Sequence, residues 1–188
     1  MGRWDPDARG RLQHAAMALY LKRGYEDVTV AEIAQSAGLT KRTFFRYFTD
    51  KREVLFAGAQ AFQADVVAAV ANAGDDLVPI DVVVMALADS GAHLAQYREF
   101  ARGRRNLIAS SADLQERELI KMASLTRAVA DTLHHRGIAP LQASLTAQAG
   151  VAAFNTAYDR WIDEGGASDL SALVHQSLDE LRRAICAA

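Results

Sequence analysis

Residues 29 to 51 constrain the fold of this chain most, because they pair two short helical segments around a glycine. Thr29 is a favourable N-cap, and Glu32 three positions later completes a Thr-x-x-Glu capping box that starts the first helix. Gly38 can adopt the left-handed conformation that ends this helix without a clash from Cβ. Thr40 then offers a second N-cap hydroxyl, so the sequence predicts another helix of about two turns in the residues that follow.

This second helix, in KRTFFRYF, has two chemically different sides. At about 100° per residue, three aromatic residues fall together and are expected to anchor the helix, and these are Phe44, Phe45 and Phe48. The opposite side carries Arg42, Thr43, Arg46 and Tyr47. Two helices joined by a short glycine turn, the second with a basic face, form a helix-turn-helix that fits a major groove about 12 Å wide. Lys51 and Arg52 follow, where a cation and the amides of a helix start can hold a phosphate.

The distribution of charge favours the same interpretation. Residues 1 to 52 contain 10 lysines and arginines against 6 acids, whereas residues 53 to 188 contain 11 against 17. A net charge of −2 therefore hides a basic end and an acidic body. This asymmetry is typical of a protein whose terminus meets a polyanion, and a nonspecific DNA-compacting protein would instead be basic throughout.

The composition indicates a globular, all-α protein. Of 188 residues, 51% are hydrophobic and only three are proline. The one cysteine, Cys186, excludes a disulfide framework or a cysteine-based zinc site within one chain, which is typical of a reducing cytoplasm. A charged N-terminus and the lack of any apolar run near 18 residues lead us to expect no signal peptide, no membrane span and a cytoplasmic location.

Helical periodicity continues to the end of the chain and predicts about nine helices. We expect a three-helix DNA-binding domain over residues 1–52 and a helical ligand-binding and dimerisation domain over 53–188. By its composition, the stretch 72–79, NAGDDLVP, is the best candidate in the sequence for a boundary between two domains. A fourth helix, expected to begin at Asp50, would run from beside the basic helix of the helix-turn-helix into the carboxy-terminal body. By tilting, it could act as a lever that moves Tyr47 and Lys51 when an effector binds.

The last helix carries an apolar stripe at i, i+3, i+4 and i+7 over about four turns, which needs a large partner surface. One possible partner is the rest of its own domain. The other is the same region of a second chain, because twofold homodimers are the commonest assemblies and match a near-palindromic operator. The residues predicted for a dimer interface are Trp161, Leu170, Leu173, Val174, Leu178, Leu181 and Ile185.

A small-molecule effector would need a pocket in the carboxy-terminal body. Its candidate residues, each of which could equally be plain core, are Met85, Tyr97, Phe100, Met122, Phe154, Tyr158 and Trp161. A basic cluster of Arg98, Arg102, Arg104 and Arg105 could attract an anionic effector, or form a solvated face.

No chemistry-bearing motif points to an enzyme. The histidines, His14, His93, His134, His135 and His175, show no metal-binding spacing, and no nucleophile motif is present, so we expect no metal, no cofactor and no catalytic residues. The competing interpretation is a helical small-molecule-binding protein or enzyme whose basic hairpin is incidental.

The stretch from RGYEDVTV through AEIAQSAGLTKRTFFRYFTDKREVL resembles the TetR family of transcriptional regulators, over roughly residues 8 to 56. The order of cap, glycine, Thr-Lys-Arg-Thr start, aromatic cluster and trailing lysine carries the resemblance. Residues 104–117 are also similar to the effector domain of mycofactocin-type regulators, some of which answer to acyl-CoA esters.

The resemblance implies a homodimeric, usually repressing protein that binds a double-stranded DNA operator and a small-molecule effector. The chain differs from the family at Phe45, where a tyrosine is frequent, and at Val30, where a hydroxyl residue is frequent. Two phosphate contacts are therefore expected to be missing, although the Phe45 ring can still stack on sugars. The residues expected at DNA are Thr29, Thr40, Lys41, Arg42, Thr43, Phe45, Arg46, Tyr47 and Lys51.

Overall fold

The computed structural model describes residues 7–92, 94, 97–164 and 169–186. The described residues form helices connected by turns and contain no β-strand, which confirms the all-α prediction. The helices are α1 (Ala8–Arg23), α2 (Val30–Ser36), α3 (Lys41–Tyr47), α4 (Ala59–Asn72), α5 (Pro79–Ala92), α6 (Arg98–Ala109), α7 (Ala112–His135), α8 (Pro140–Glu164) and α9 (Leu170–Cys186).

The chain divides into two compact units. Unit 1 ends at Gly58 but also takes in Arg102–Glu118, which is the second part of α6 and the start of α7. Its core is built on α1, α2 and α3, and the largest fully buried side chains of the unit are Leu12, Tyr20, Val28, Ile33, Phe44 and Leu114. The N-terminal helices therefore pack as a small bundle, with a second stretch of chain added to it.

Unit 2 comprises Ala59–Ala101 and the chain from Leu119 onward. In it α8 packs against both α5 and α9, and α4 packs against α5. A Cβ at Gly150 of α8 would lie 2.5 Å from Cγ1 of Val83, so glycine allows the close approach of α8 to α5. The core of unit 2 is contributed by all of these helices and by α7.

The fourth helix does not begin at Asp50, as the sequence pattern predicts. Residues 51–58 form successive turns, and α4 begins at Ala59, in the other unit. The Leu55 and Phe56 amides donate to the carbonyls of Arg52 and Glu53, three residues earlier, which is the pattern of tight turns and not of an α-helix. The predicted start of this helix at Asp50 is therefore wrong, whereas its role as a lever stays a prediction.

The compact units also differ from the domain boundaries expected from sequence. Arg102–Glu118 lies in unit 1 although the sequence assigns it to the body, and the 72–79 stretch joins α4 and α5 inside unit 2. The division of function at residue 52 stays a prediction.

The apolar stripe of α9 faces the core of its own chain. Of the seven residues predicted for a dimer interface, five are at most 4% exposed and pack in the core of unit 2, so they are not available to a partner. These five are Trp161, Leu170, Leu173, Val174 and Leu178. Leu181 is half-buried and Ile185 is 72% exposed. Ser168, expected as the N-cap of α9, lies outside the described residues.

Candidate DNA interface

The α2–α3 pair is held in shape by local hydrogen bonds. The Glu32 amide donates to Thr29 Oγ1 at 3.3 Å and the Thr29 amide donates to Glu32 Oε2 at 2.8 Å, which confirms the predicted capping box. Gly38 ends the pair's first helix with a φ of +67°, and the Leu39 amide donates to the Ala34 carbonyl at 2.8 Å. The Arg11 guanidinium of α1 donates to the carbonyl of Ala37 beside this turn.

The carboxylate of Glu32 also joins α2 to the end of α1. Arg23 Nη1 lies 2.6 Å from Glu32 Oε1. The hydrogen bonds from Arg23 and then from the backbone and hydroxyl of Thr29 lower the pKa of Glu32 from 4.5 to about 2. Glu32 therefore stays ionised, and its charge favours the N-terminus of α2.

Helix α3 begins and is anchored as its sequence predicts, with one exception. Thr40 accepts a hydrogen bond from the Thr43 amide at 3.1 Å. Phe44 and Phe48 are buried, and their ring centroids lie 5.5 Å apart. Phe45 is 50% exposed, so the expectation that it anchors the helix is wrong; at 100° per residue it lies a quarter-turn round the helix from Phe44. The Phe45 ring therefore belongs to the outer, exposed face of α3, and Lys41 Nζ lies 5.9 Å from the centre of this ring.

The outer face of α3 brings most of the predicted DNA-binding residues together. Thr40, Lys41, Arg42, Phe45 and Arg46 are exposed, and Thr43 and Tyr47 are half-buried. The Arg46 guanidinium lies 4.9 Å from the centre of the Tyr47 ring and donates to the Tyr47 hydroxyl at 2.9 Å. Within the described part of the chain, the Arg42 guanidinium has no hydrogen-bond or ion-pair partner. This face can therefore present cations and hydroxyl groups to a polyanion.

Two predicted DNA-binding residues are engaged elsewhere in unit 1. The Thr29 hydroxyl lies 2.8 Å from Glu32 Oε2 as part of the capping box. The Lys51 ammonium lies against the α1–α2 turn and donates to the carbonyls of Tyr25, Glu26 and Val28. Val30, where a hydroxyl was expected to be missing, is half-buried at the start of α2.

Unit 1 contains a second stretch of chain that the sequence pattern did not associate with it. Arg52 bridges Asp50 and Asp113, with N–O distances of 3.0 and 2.7 Å, and Arg117 Nε lies 2.5 Å from Glu53. These hydrogen bonds raise the pKa of Arg52 and of Arg117. Burial acts to raise the pKa of Asp50, but bonds from Arg52 and from the Glu53 amide outweigh it and lower the value. No local signal could have identified the pairs of Arg52 with Asp113 and of Arg117 with Glu53, since their partners are about sixty residues apart in sequence.

The arginines of the basic cluster of α6 are half-buried and make contacts within the protein, and their exposure to an anionic effector stays a prediction. The Arg104 guanidinium donates to Glu118 at 2.7 Å and to the Leu55 carbonyl at 2.9 Å, and it lies 4.9 Å from the centre of the Phe56 ring. The Arg98 guanidinium lies 4.8 Å from the centre of the Trp161 ring. Arg102 and Arg105 also take part in interactions. An anionic effector would have to displace these contacts.

The seven candidate effector residues are dispersed. Phe154 and Trp161 are buried, Met122 and Tyr158 are half-buried, and Met85, Tyr97 and Phe100 are between 37% and 54% exposed. The rings of Phe62, Phe154, Tyr158 and Trp161 follow one another in unit 2 with centroid distances of 5.4, 6.1 and 5.7 Å. An open groove of about 460 Å³ between α7 and α8 is lined by none of the seven.

The described residues contain no cluster of three or more His, Cys, Asp or Glu side chains that could hold a metal ion, and His93 lies outside them. In the same part of the chain, no helix has both the length and the apolar character needed to cross a membrane.

Comparison with known proteins matches both parts of the chain to one family. Residues 12–57 match the model of the bacterial regulatory proteins of the tetR family, and residues 77–185 match the MftR C-terminal domain. An uncharacterized HTH-type transcriptional regulator of Mycobacterium tuberculosis is 34% identical over 83 residues, 44% of each chain. The HTH-type transcriptional regulator TcmR of Streptomyces glaucescens is 39% identical over 61 residues, which are 32% of this chain and 27% of TcmR. The chain thus spans less than half the length of these relatives.

Solved structures share the fold over nearly the whole chain. A TetR-family regulator from Syntrophomonas wolfei has a TM-score of 0.68 at 14% identity, covering 96% of both chains. The complex of SmeT, the repressor of a Stenotrophomonas maltophilia efflux pump, with triclosan has a TM-score of 0.66 at 18% identity, covering 94% of this chain and 90% of SmeT. Thermus thermophilus FadR in complex with lauroyl-CoA has a TM-score of 0.52 at 20% identity, covering 93% of both chains. The carboxy-terminal match covers more than half of this chain, and the amino-terminal match covers the helices α2 and α3. The chain therefore belongs to the TetR family of bacterial regulatory proteins.

Proposed function

We propose that this protein is a cytoplasmic, ligand-responsive transcriptional repressor that binds a near-palindromic operator as a homodimer. The observation that carries the proposal is the outer face of α3, where Lys41, Arg42 and Arg46 are exposed while Phe44 and Phe48 fix the opposite side. A rigid helix with such a face suits the major groove, because cations bind phosphates and an arginine can pair with guanine in two hydrogen bonds.

A single helix of seven residues reads few base pairs, so the proposal includes a second copy of the chain. The exposed side of α8 supports it. Leu141 and Leu145 are 74% and 58% exposed and share that side with Ala152 and Thr156. We assign the dimer contact to this side of α8 in place of the buried α9 stripe.

The proposed effector is a small molecule that binds in unit 2. Relatives of the same fold have been solved with triclosan and with lauroyl-CoA, which differ widely in size and charge. An effector releases DNA only if it binds one conformation of the protein more tightly than the other. The pocket residues predicted from sequence, Phe154, Tyr158 and Trp161 among them, stay candidates for contact with it.

The test is a fluorescence anisotropy titration of the full chain with DNA from upstream of its own gene, in excess random DNA and at two salt concentrations. We expect preferential binding to the upstream DNA, with affinity that falls as salt rises. Addition of triclosan or lauroyl-CoA, used as probes of two ligand classes, should weaken binding where the probe also raises the melting temperature. A ligand at about 100 times its dissociation constant adds some 2.7 kcal/mol of stability.

The competing function, a helical small-molecule-binding protein or enzyme, makes the opposite prediction. It requires thermal stabilisation by a ligand, or turnover, together with no DNA binding at any salt concentration. That result would overturn the proposed function.

A further inference from the structure

The side chain of Lys51 points at the turn between α1 and α2. Its Nζ donates to the carbonyl oxygen of Tyr25 at 2.9 Å, and to those of Glu26 and Val28 at 3.1 Å each. An ammonium group has three N–H donors, so all three are used within unit 1. Lys51 is half-buried, and its Nζ also lies 4.2 Å from the centre of the Tyr25 ring, a distance at which a cation is attracted to the ring face.

The main chain of Lys51 is held as well. The Tyr20 hydroxyl of α1 donates to the Lys51 carbonyl at 2.8 Å, and the rings of Tyr20 and Tyr25 pack edge to face with centroids 5.4 Å apart. Burial raises the pKa of both tyrosines, so both stay neutral hydrogen-bond donors. Lys51 is therefore fixed at its backbone and at its ammonium, and it has little freedom to swing outward.

The turn that Lys51 contacts leads directly into α2 and α3, the two helices of the helix-turn-helix. It starts after Arg23, with Gly24 at a φ of +87°, and ends at Thr29, the N-cap of α2. The direction of α2 fixes the direction of α3, because only the short turn around Gly38 joins them. The three carbonyls that bind the Lys51 ammonium therefore fix the backbone of this turn, and with it the direction of α2 relative to α1.

We infer that Lys51 is a positioning residue for DNA recognition and does not contact a phosphate. The inference rests on the proposed function and departs from the phosphate role that the sequence predicts. Lys51 sets the entry angle of the helix pair, whereas Lys41, exposed on the outer face of α3, is the lysine that meets DNA.

Chemical labelling of the unmodified protein tests this directly, because the chain has only four lysines, Lys22, Lys41, Lys51 and Lys121. Acetylation by an N-hydroxysuccinimide ester, followed by mass spectrometry, gives the reaction rate of each amine with and without operator DNA. We expect Lys51 to react slowly in both states, and Lys41 to react fast in the free protein and to be protected by DNA. Exposed Lys22 serves as the reference for an accessible amine. A Lys51 that reacts as fast as Lys22 in the free protein would overturn the inference, whether or not the protein binds DNA.

Two matched variants separate positioning from phosphate contact. Lys51→Met and Lys41→Met each remove one ammonium and keep a long side chain. Lys51→Met should bind the operator roughly tenfold more weakly even where circular dichroism shows it fully folded, with an unchanged slope of log affinity against log salt. Lys41→Met should lower that slope by about 0.9, the value for one phosphate contact.

Lys51→Arg, which keeps a cation, should recover part of the affinity. A slope lowered by about 0.9 in Lys51→Met would contradict the inference, and so would unchanged affinity in that folded variant, which indicates a merely structural lysine. If the unmodified protein binds no DNA, the proposed function fails, while the labelling rate of Lys51 still decides whether its ammonium is held by the turn.

Discussion

At the scale of single residues, Glu32 connects two elements with one carboxylate. It closes the capping box of α2 and receives Arg23 from the end of α1. Both interactions need the ionised form, which is why its pKa falls to about 2. The stability of unit 1 therefore depends on pH through this group.

We expect the contribution of Glu32 to be complete above its ordinary pKa of 4.5 and to be lost as the pH falls from there towards 2. Glu32→Gln removes the titrating group, so the urea midpoint of this variant should fall less than that of the unmodified protein between about pH 5 and pH 3. Exposed Glu116, replaced in Glu116→Gln, is the matched control and should leave the pH dependence unchanged. Parallel curves for all three proteins would show that Glu32 is not the source.

Arg42 makes a prediction about specificity. Its exposed guanidinium can pair with one guanine, so Arg42→Ala should cost about 1 to 3 kcal/mol on the preferred operator and relax the preference at one base pair. Binding to a set of operators with single-base changes measures this. Arg127→Ala, an equal change of charge on the exposed surface of unit 2, should leave the preference intact. A uniform loss on every operator would instead assign Arg42 to the phosphate backbone.

The residues that could be predicted from sequence are those whose partners are local. The capping box, the left-handed Gly38 and the Thr40 cap each lie within four residues of what they contact, and all three are confirmed. Lys51 could not be predicted in the same way, because the carbonyls that it binds lie 23 to 26 positions earlier.

At the scale of the element, α3 has a buried side and an exposed side, and two neighbouring phenylalanines lie on different sides. Phe44 is fully buried and Phe45 is 50% exposed. Phe44→Ala should therefore destabilise the protein by about 3 to 5 kcal/mol, whereas Phe45→Ala should change stability by less than about 0.5 kcal/mol.

Thermal or urea unfolding of the two variants checks this prediction. DNA binding separates them further, since Phe45→Ala should weaken the operator complex while the variant stays folded. Equal destabilisation by both substitutions would mean that the Phe45 ring also packs in the core. Periodicity could assign α3 but not this difference, because a hydrophobic residue at the edge of a stripe can face either way.

At the scale of the whole molecule, the proposed dimer can be tested by a charge placed on the exposed side of α8. Leu145→Glu should give a monomer in analytical ultracentrifugation, because two carboxylates would meet at the twofold contact. Leu119→Glu, at a 70% exposed leucine of α7, should leave the dimer unchanged. If Leu119→Glu alone gave a monomer, the dimer contact would have to be assigned to α7 and not to α8. Circular dichroism confirms that each variant is folded.

Unit 1, which contains α2 and α3, is built from two separate stretches of sequence, and this limits how domains can be exchanged between this protein and its relatives. A hybrid regulator made by joining residues up to 58 to the body of a relative would lose Asp113, Arg117 and Arg104, the partners of Arg52, Glu53 and the Leu55 carbonyl. A working chimera needs residues 102–118 from the same parent as the N-terminal helices. We expect the two stretches to change together in natural relatives as well, although more than forty residues separate them along the chain.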